Sequence, residues 1–564
     1  MGACTMINKK IRLGDLLIEQ GYITQEQLTS ALEKQKELNF TKKLGEIFID
    51  EGYISQKELL KMLATQLKID FVDLFGEKID FEDIVVKYPL NLLKAAHAIP
   101  FKEDEDFIYI ATSDPLNYDA LENLERTVSI KPMKIALSYE EDIQVIFKRI
   151  ETLKKTKVLI SEVKKELKTE GLKKEGEDSA VMRLIRLLIS DAIAKRASDI
   201  HIEPEDNGKM IVRSRIDGVL FENFIFDMEI YHAISSRIKL LGNIDISEKR
   251  VPQDGRFSLN LFDKPYDFRL STTPTIFGES IVMRILDREK VLLKLEDLGF
   301  ADENLEAFND LITSPHGILL ITGPTGSGKT TTLYAALNEI KSISNKVMTA
   351  EDPVEYRLPL VQQIQVNEKT GLTFARAVKS FLRQDPDIIL IGEIRDSETL
   401  DAASQAALTG HLVLSTLHTN DAPGAIPRMV QMGLKPYLIS DSLIGVIGQR
   451  LVRKICPYCK HEVKIQKSQL PKVEKYIKPD AVVYEGKGCP KCDFTGYFNR
   501  TMISEIFVLD EKIAKLISEN ENKIILAEYA QKQGKYKPMI YDGMNKVLKG
   551  ITTITEVLRV TKEH

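Results

Sequence analysis

The 564-residue sequence predicts a multidomain α/β protein, and three local patterns support this fold class. A short apolar strand, a glycine-rich loop and a helix follow one another over residues 317–340. Apolar and polar residues alternate through residues 180–290, broken by proline and glycine, which indicates several strands. Residues 12–66 contain two copies of one helical pattern. Because one core cannot fill a chain this long, we expect three or four domains.

Composition and charge exclude several classes of protein. The chain is 43% hydrophobic and 29% charged with a net charge of −5, which is typical of a soluble globular protein and does not favour nucleic-acid binding. No run approaches 18 apolar residues, and the first residues, MGACTMINKKIRLGD, lack the apolar core of a signal peptide. We therefore expect a cytoplasmic protein that has no membrane span and reaches the membrane only through partners.

The glycine-rich stretch GPTGSGKTT fits the phosphate-loop pattern G-x-x-x-x-G-K-[ST]. Glycines leave no side chain between backbone N–H groups and phosphate oxygens, and the following helix adds the positive end of its dipole. Lys329 is expected to reach the β- and γ-phosphates of ATP, and the Thr330 hydroxyl to bind magnesium. The predicted nucleotide-binding residues of this loop are Gly323, Pro324, Thr325, Gly326, Ser327, Gly328, Lys329, Thr330 and Thr331.

Three further segments lie within about a hundred residues of this loop. Glu393 ends the apolar run in DPDIILIGE, where the second carboxylate near magnesium is expected. Glu355 belongs to the acidic turn MTAEDPVEY, and His411 and His418 flank the apolar strand LVLSTL. Alone, each is common as a solvated turn or a strand cap. Together with the phosphate loop they predict nucleotide hydrolysis.

The segments EDPVEY, FLRQDPDIILIGEIRD, TGHLVLSTLHTN and IGQRLVRKICPYC resemble those of the ATPases that power type II secretion and type IV pilus assembly. The resemblance runs from about residue 180 to the C-terminus. It implies a homo-hexamer with a RecA-like P-loop motor domain over residues 291–564, whose C-terminal helices span 520–564. It also implies that Glu355 is the general base, that Glu393 positions magnesium and water, and that His418 contacts the γ-phosphate. Which of the two glutamates is the base stays open.

The same family resemblance covers a smaller α/β domain over residues 179–290, through segments such as VPQDGRFSL and DFRLSTTPTIFGESIVMRIL. In the family this domain packs on the nucleotide of the neighbouring subunit. Arg269 and Arg284 match the family arginines that reach across, and a planar guanidinium suits a charge spread over phosphate oxygens. Arg383 and Arg395 match family arginines near the phosphates or the subunit interface.

Four of the five cysteines form two C-x-x-C pairs, Cys456 with Cys459 and Cys489 with Cys492. Two such pairs in a cytosolic chain predict one tetrahedral zinc site with a structural role, in a subdomain over residues 450–500. Redox-active or free thiols are the alternative. The gap between the pairs is longer than in common zinc motifs but resembles the spacing in the secretion ATPases.

The N-terminal domain, residues 1–150, begins with two 24-residue repeats at 12–35 and 43–66. Both predict a helix, a G-Y-I-[TS] turn and a second helix. The repeats resemble a cyclic-di-GMP-binding motif of some pilus assembly ATPases, although Lys43 and Phe48 depart from it. The implied ligand residues are Arg12, Leu13, Gly14, Leu17, Gly21, Leu28, Leu32, Gln35, Lys43, Leu44, Gly45, Phe48, Gly52, Leu59, Leu63 and Gln66. A docking module without ligand is the alternative.

Residues 151–178 are rich in lysine and glutamate and predict an exposed helix that passes into a charged linker. Taken together, the family resemblance implies an ATPase that powers type IV pilus assembly, with an inner-membrane platform protein and other membrane-associated components as partners. The resemblance of the repeats adds control by cyclic-di-GMP to this expectation. The alternatives are a type II secretion ATPase, a motor for fibre disassembly, and a cyclic-dinucleotide sensor that does not hydrolyse ATP.

Overall fold

The computed structural model describes residues 13–561 except 38–41, 43, 55, 75–78, 80, 129–130, 170–178, 287–292 and 467. The chain divides into two compact units, Met1–Leu184 and Ile185–His564. Two predicted cyclic-di-GMP contacts, Arg12 and Lys43, lie outside the described residues, as does the end of the predicted linker, 170–178.

The first unit begins with four short helices that form two equivalent pairs. They are α1 (Leu13–Glu19), α2 (Gln25–Glu37), α3 (Leu44–Asp50) and α4 (Gln56–Leu67). Both pairs contribute to one hydrophobic core. Gly14 packs against Leu28, and Gly45 packs against Leu59 in the same way: a Cβ on either glycine would lie 2.6 or 2.8 Å from a leucine methyl group. The sequence repeat is therefore also a repeat in packing.

The rest of the first unit is an α+β domain with a four-stranded sheet in the order β1-β4-β3-β2. Its strands are β1 (Asp70–Phe71), β2 (Ala98–Glu103), β3 (Ile108–Thr112) and β4 (Met133–Leu137). Its helices are α5 (Phe81–Lys87), α6 (Leu90–Ala95), α7 (Tyr118–Val128) and α8 (Glu140–Thr169). The 30-residue helix α8 includes the first part of the predicted linker, and its residues Ile143 to Ile150 pack into the core of this domain.

Helix α9 (Ala180–Ala194) leads into an antiparallel six-stranded sheet in the order β7-β6-β5-β10-β9-β8. The strands are β5 (Ala197–Pro204), β6 (Lys209–Ile216), β7 (Val219–Asp227), β8 (Gln253–Leu261), β9 (Lys264–Thr275) and β10 (Gly278–Leu286), with α10 (Met228–Leu241) between β7 and β8. Alternate side chains are buried, as in β9, where Phe268 and Leu270 face the core while Arg269 faces outward.

The site-bearing domain has a seven-stranded sheet in the order β13-β12-β14-β15-β11-β16-β19. Its strands are β11 (Gly317–Thr322), β12 (Val347–Glu351), β13 (Val361–Gln365), β14 (Ile388–Ile391), β15 (Leu412–Leu417), β16 (Leu443–Ile455) and β19 (Tyr497–Val508). All neighbours pair in parallel except β19, which is antiparallel to β16. Strands β11 and β15 are buried throughout, since helices cover both faces of a parallel sheet.

Helices accompany these strands: α11 (Asp302–Ile312), α12 (Lys329–Ile340), α13 (Phe374–Phe381), α14 (Ser397–Leu408), α15 (Ala425–Gln431) and α16 (Pro436–Ser442). A small hairpin, β17 (Lys460–Val463) and β18 (Val483–Gly486), follows β16 with α17 (Leu470–Val473) inside it. The chain closes with α18 (Glu511–Ser518), α19 (Lys523–Lys532), α20 (Met539–Leu548) and α21 (Ile554–Val560). Among the described residues, no helix is both long and apolar enough to cross a membrane.

Candidate active site

The phosphate loop connects β11 to α12, as the sequence pattern predicts. Gly326 and Gly328 have φ angles of 79° and 90°, a left-handed region in which residues with a side chain are strained. A Cβ on Gly323 would lie 2.6 Å from both the Gln449 main-chain oxygen and Ser327 Oγ. Backbone conformation and close approach therefore both require glycine here, and Gly328 directs the loop into the N-terminus of α12.

Lys329 lies buried within this loop. Its Nζ donates to the main-chain oxygens of Gly323 at 2.8 Å and Pro324 at 3.1 Å. Burial lowers the pKa of Lys329, whereas the nearby Glu393 charge raises it. Ser327 Oγ is buried without a hydrogen-bond partner among the described residues. A buried hydroxyl in that state calls for an acceptor, and a phosphate oxygen supplies one, so the loop fits a nucleotide.

Strand register brings the other predicted residues to the same edge of the sheet. Thr322 pairs with Leu417, so the phosphate loop and His418 leave the sheet side by side. Ile391 pairs with Ala350, so Glu393 emerges next to the end of β12. Since all these strands are parallel, their carboxyl ends form one edge, where ligands of such sheets bind.

Glu393 is the centre of this cluster, with 17% of its side chain exposed. Arg395 Nη2 donates to its Oε1 at 2.5 Å, and His418 Nε2 lies 3.6 Å from its Oε2. Because the phosphate loop leaves the sheet beside His418, this arrangement brings Glu393 and His418 to the same edge as the phosphate-loop Lys329. Such a group can hold a metal-bound triphosphate.

The end of β12 and the acidic turn that follows it carry two glutamates in different environments. Glu351 is buried and accepts hydrogen bonds from Thr349 Oγ1 at 2.6 Å, Gln363 Nε2 at 3.0 Å and the Tyr334 hydroxyl. Glu355 is only partly buried, and no described residue donates to its carboxylate. Glu351 therefore anchors the turn, while Glu355 is available to accept a proton from water.

His411, at the start of β15, lies at the opposite end of that strand from His418. Its Nδ1 is 2.8 Å from the main-chain oxygen of Ala406, at the end of α14. This histidine caps a helix, so only His418 of the two candidates belongs to the cluster.

The two arginines predicted to reach the nucleotide of a neighbouring subunit lie on the outward face of the six-stranded sheet. Arg269 and Arg284 are direct cross-strand neighbours, and Arg284 Nε donates to Asp199 Oδ1 at 2.9 Å. Neither contacts the phosphate loop of its own chain in the described part of the structure. Arg383 is exposed at the end of α13, where its Nη1 donates to the Lys379 main-chain oxygen at 2.9 Å.

Sequence reasoning missed Gln449, a fully buried residue of β16. Its Nε2 donates to the Ser327 main-chain oxygen at 2.8 Å, and its Oε1 accepts from Thr332 Oγ1 at 3.0 Å. It thus fastens the phosphate loop to the first turn of α12. The resembling segment IGQRLVRKICPYC contains this residue, but only the sheet order indicates its role.

The four predicted zinc ligands come together as one cluster at the β16–β19 end of the sheet. The sulfurs of Cys456, Cys459, Cys489 and Cys492 all lie within 4.8 Å of one another. The Cys456–Cys489, Cys459–Cys492 and Cys489–Cys492 sulfur distances are 3.7, 3.9 and 3.7 Å. A tetrahedron with zinc–sulfur bonds of about 2.3 Å has edges of about 3.8 Å, so the cluster fits zinc.

The residues of the predicted cyclic-di-GMP motif fall into two groups. Leu17 and Phe48 are fully buried in the core that both repeats share, and Leu28 and Leu59 are nearly so. Leu32 is 40% exposed. Five further leucines and glutamines of the motif are exposed or partly buried: Leu13, Leu44, Leu63, Gln35 and Gln66. Gly21 and Gly52 adopt φ angles of 74° and 71° in the turns. The buried members hold the two copies together.

Residues 174–559 match the family described as Type II/IV secretion system protein, and residues 67–156 match the MshEN domain. The second match begins directly after the second repeat and includes neither copy.

Individual relatives agree with the first match. Type II secretion system protein E of Dickeya dadantii is 47% identical over 391 residues, which are 69% of this chain and 78% of the relative. The type IV pilus assembly ATPase PilB of Thermus thermophilus is 41% identical over 488 residues, 84% of this chain and 54% of that protein. The solved ATPase DotB of Yersinia pseudotuberculosis, 19% identical, covers 67% of this chain and 93% of its own with a TM-score of 0.51, which shows a shared fold.

Proposed function

This chain belongs to the type II/IV secretion system protein family, as its motifs predict, and we propose that it is a hexameric ATPase that powers type IV pilus assembly. The observation that carries the proposal is the convergence of Lys329, Glu393 and His418 at one edge of a parallel sheet. Motors of this kind need a phosphate cradle, a metal-positioning acid and a sensor of the γ-phosphate in one place.

In the proposed reaction, Lys329 exchanges its carbonyl partners in the loop for the β- and γ-phosphates of ATP. Thr330 and Glu393 are the groups that would hold magnesium, which when bound neutralises charge on the phosphates. His418 contacts the γ-phosphate. Glu355, whose carboxylate accepts no hydrogen bond from a described residue, accepts a proton from the attacking water.

The base assignment is tested by Glu355→Gln, which keeps the size of the side chain but cannot accept the proton. We expect phosphate release to fall by about 10²–10⁴-fold, the usual contribution of a general base, while binding of a fluorescent ATP analogue persists. Glu339→Gln, the same change at an exposed glutamate of α12, is the control and should keep wild-type turnover. Full turnover by Glu355→Gln would assign the base role to Glu393 or another residue.

We also propose that Arg269 and Arg284 act on the nucleotide of a neighbouring subunit. Among the described residues, neither arginine contacts the phosphate loop of its own chain, which supports this proposal. Subunits with Arg269→Ala and subunits with Lys329→Ala are each expected to be inactive alone. Mixed rings should regain activity, because some seams then combine an intact arginine with an intact loop. No recovery on mixing would contradict action across the seam.

Type II secretion is the second candidate, and the 47% identical Dickeya relative favours it. Pilus assembly is preferred because the Thermus pilus ATPase aligns with 84% of this chain, against 69% for the Dickeya protein. Deleting the gene and counting surface fibres and exported proteins separates the two, since each candidate predicts loss of one product only.

Cyclic-di-GMP binding is a further part of the proposal, supported by the two repeats and the adjoining MshEN match. Residues 12–66 supply the predicted contacts with cyclic-di-GMP. In the same proposal, the chain is cytoplasmic and reaches the membrane through a platform protein. Isothermal titration of the full chain with cyclic-di-GMP, and of Arg12→Ala as a loss-of-contact variant, tests this. Equal heats of binding for the two proteins would show that this repeat does not contact cyclic-di-GMP.

A further inference from the structure

Arg450 of β16 lies between the two loops that form the candidate site. Because β16 runs parallel to β11 with Gly448 opposite Thr322, Arg450 stands level with the start of the phosphate loop. Successive side chains of a strand point to opposite faces, so Arg450 and its neighbour Gln449 serve different sides of the sheet. A Cβ on Gly323 would lie 3.1 Å from Arg450 Nη1, which places the guanidinium against the phosphate loop.

The guanidinium also holds the histidine loop, defined here as residues 418–422. Arg450 Nη2 donates to the Asn420 main-chain oxygen at 2.6 Å, while Nη1 donates to the Gln449 main-chain oxygen at 3.0 Å. Asn420 follows His418 by two residues. A displacement of Asn420 would therefore also move His418, the residue expected to contact the γ-phosphate.

The other end of the histidine loop is held by Glu505 of β19, which pairs with Gly448. Its Oε1 accepts from the Ala422 amide at 2.6 Å, and its Oε2 accepts from the Tyr536 hydroxyl at 3.0 Å and the Met539 amide at 2.8 Å. Arg450 and Glu505 thus hold the loop from adjacent strands. A cavity of about 730 Å³, lined by both residues and by Asn420 and Asp421 of the loop, opens beside them.

Arg450 also acts on the phosphate loop through its charge. Its guanidinium lies against Gly323, whose main-chain oxygen accepts from Lys329 Nζ at 2.8 Å. Burial lowers the pKa of Arg450, which the charges of Glu505 and Asp421 oppose. In the sheet, β16 lies on one side of β11, whereas β14, which Glu393 follows, lies on the other side.

We propose that Arg450 is a positioning residue for hydrolysis, which holds the histidine loop against the phosphate loop and so keeps His418 in place. The inference rests on the proposed ATPase function and deepens it. Because Arg450 acts through His418 at the γ-phosphate, its loss slows turnover while nucleotide affinity changes little. A displacement of about 1 Å at a reacting centre can cost about 100-fold in rate.

The test is phosphate release by the full chain carrying Arg450→Met, which removes both donors and keeps much of the side-chain length. We expect about a 100-fold fall at saturating ATP with unchanged binding of a fluorescent ATP analogue. Arg450→Lys should recover part of the rate, since one ammonium donor can reach Asn420. Arg376→Met is the matched control, because Arg376 Nη1 also donates to a main-chain oxygen, that of Gly371 at 2.7 Å, outside both loops. It should keep wild-type turnover.

A double variant separates positioning from general destabilisation. If Arg450 acts through the histidine loop, Arg450→Met combined with His418→Gln should be no slower than His418→Gln alone. Multiplying effects, normal turnover by Arg450→Met, or a loss of nucleotide affinity that accounts for its rate would each overturn the inference. If Arg450→Met does not fold, Arg450→Lys with His418→Gln gives the same comparison. Absence of ATP hydrolysis in the wild-type protein would instead refute the proposed function.

Discussion

Replacing Glu556 with glutamine should destabilise the C-terminal helix α21 strongly, because this carboxylate is fully buried. Its oxygens accept hydrogen bonds from Arg453 Nη2 at 2.7 Å, the Arg453 amide at 3.0 Å, and Arg559 Nε and Nη2 at 3.0 and 2.8 Å. Burial raises the pKa of Glu556, but the donors from Arg559 and Arg453 outweigh it and lower that pKa to about 2.

The magnitude follows from this pKa. A value of about 2 in place of the ordinary 4.5 corresponds, at about 1.36 kcal/mol per pH unit, to about 3 kcal/mol. Because the folded pKa is depressed, this stabilisation is fully present above pH 4.5 and is lost as the pH falls toward 2. Glu556→Gln removes it at neutral pH and leaves the Arg453 guanidinium, which is 17% exposed, without its counter-charge.

Hydrogen exchange at pH 7 measures the effect within the full chain. A loss of about 3 kcal/mol should speed exchange of the α21 amides by about 100-fold. Glu519→Gln is the control, because Glu519 is 49% exposed and lies 3.9 Å from Lys515, a pair worth little. For the wild type, pepsin cleavage in residues 554–560 should rise between pH 4.5 and 2. Exchange in Glu556→Gln within threefold of wild type would refute the reasoning.

Three further predictions concern other parts of the molecule. Gly323→Ala should abolish binding of a fluorescent nucleotide, since the new Cβ would lie 2.6 Å from Gln449 O and Ser327 Oγ, and retained binding would contradict the close packing. Cys492→Ser should lose bound zinc, measured by release to a chelator, whereas Cys4→Ser should keep it. Equal zinc contents in the two variants would show that Cys492 is not a zinc ligand. Lys239→Met should lower the free energy of unfolding, measured with urea, by about 3–5 kcal/mol, because Lys239 Nζ pairs with Glu279 at 2.8 Å and both side chains are buried. The double variant Lys239→Met with Glu279→Gln should lose less stability than Lys239→Met alone.

Part of the candidate site could be predicted from sequence because it depends on short local patterns. The phosphate loop needs glycines at fixed offsets, and Gly326 and Gly328 indeed adopt positive φ angles. Glu393 follows a buried strand in the sequence as it does in the structure. The paired cysteines likewise predicted a four-sulfur cluster, whose sulfurs the structure places within 4.8 Å of one another.

Other distinctions depend on packing and were invisible in the sequence. Glu351 and Glu355 belong to one acidic turn, yet only Glu351 is buried under three donors. His411 and His418 flank one strand, but they lie at its opposite ends. His411 caps a helix, whereas His418 lies beside Glu393. Leu17 and Phe48 stand at ligand positions of the motif that the repeats resemble, yet both are buried in the core.

The sequence by itself determined the fold class, the family, the phosphate loop and the four-cysteine cluster, because each follows from residue types at fixed separations along the chain. The tertiary structure alone decided which side chains share the edge of the sheet and which loops Gln449 and Arg450 hold. Strands β11 and β16 are neighbours although about 120 residues separate them in the chain, and such contacts come from sheet order and burial. Local sequence patterns carry no information about that order.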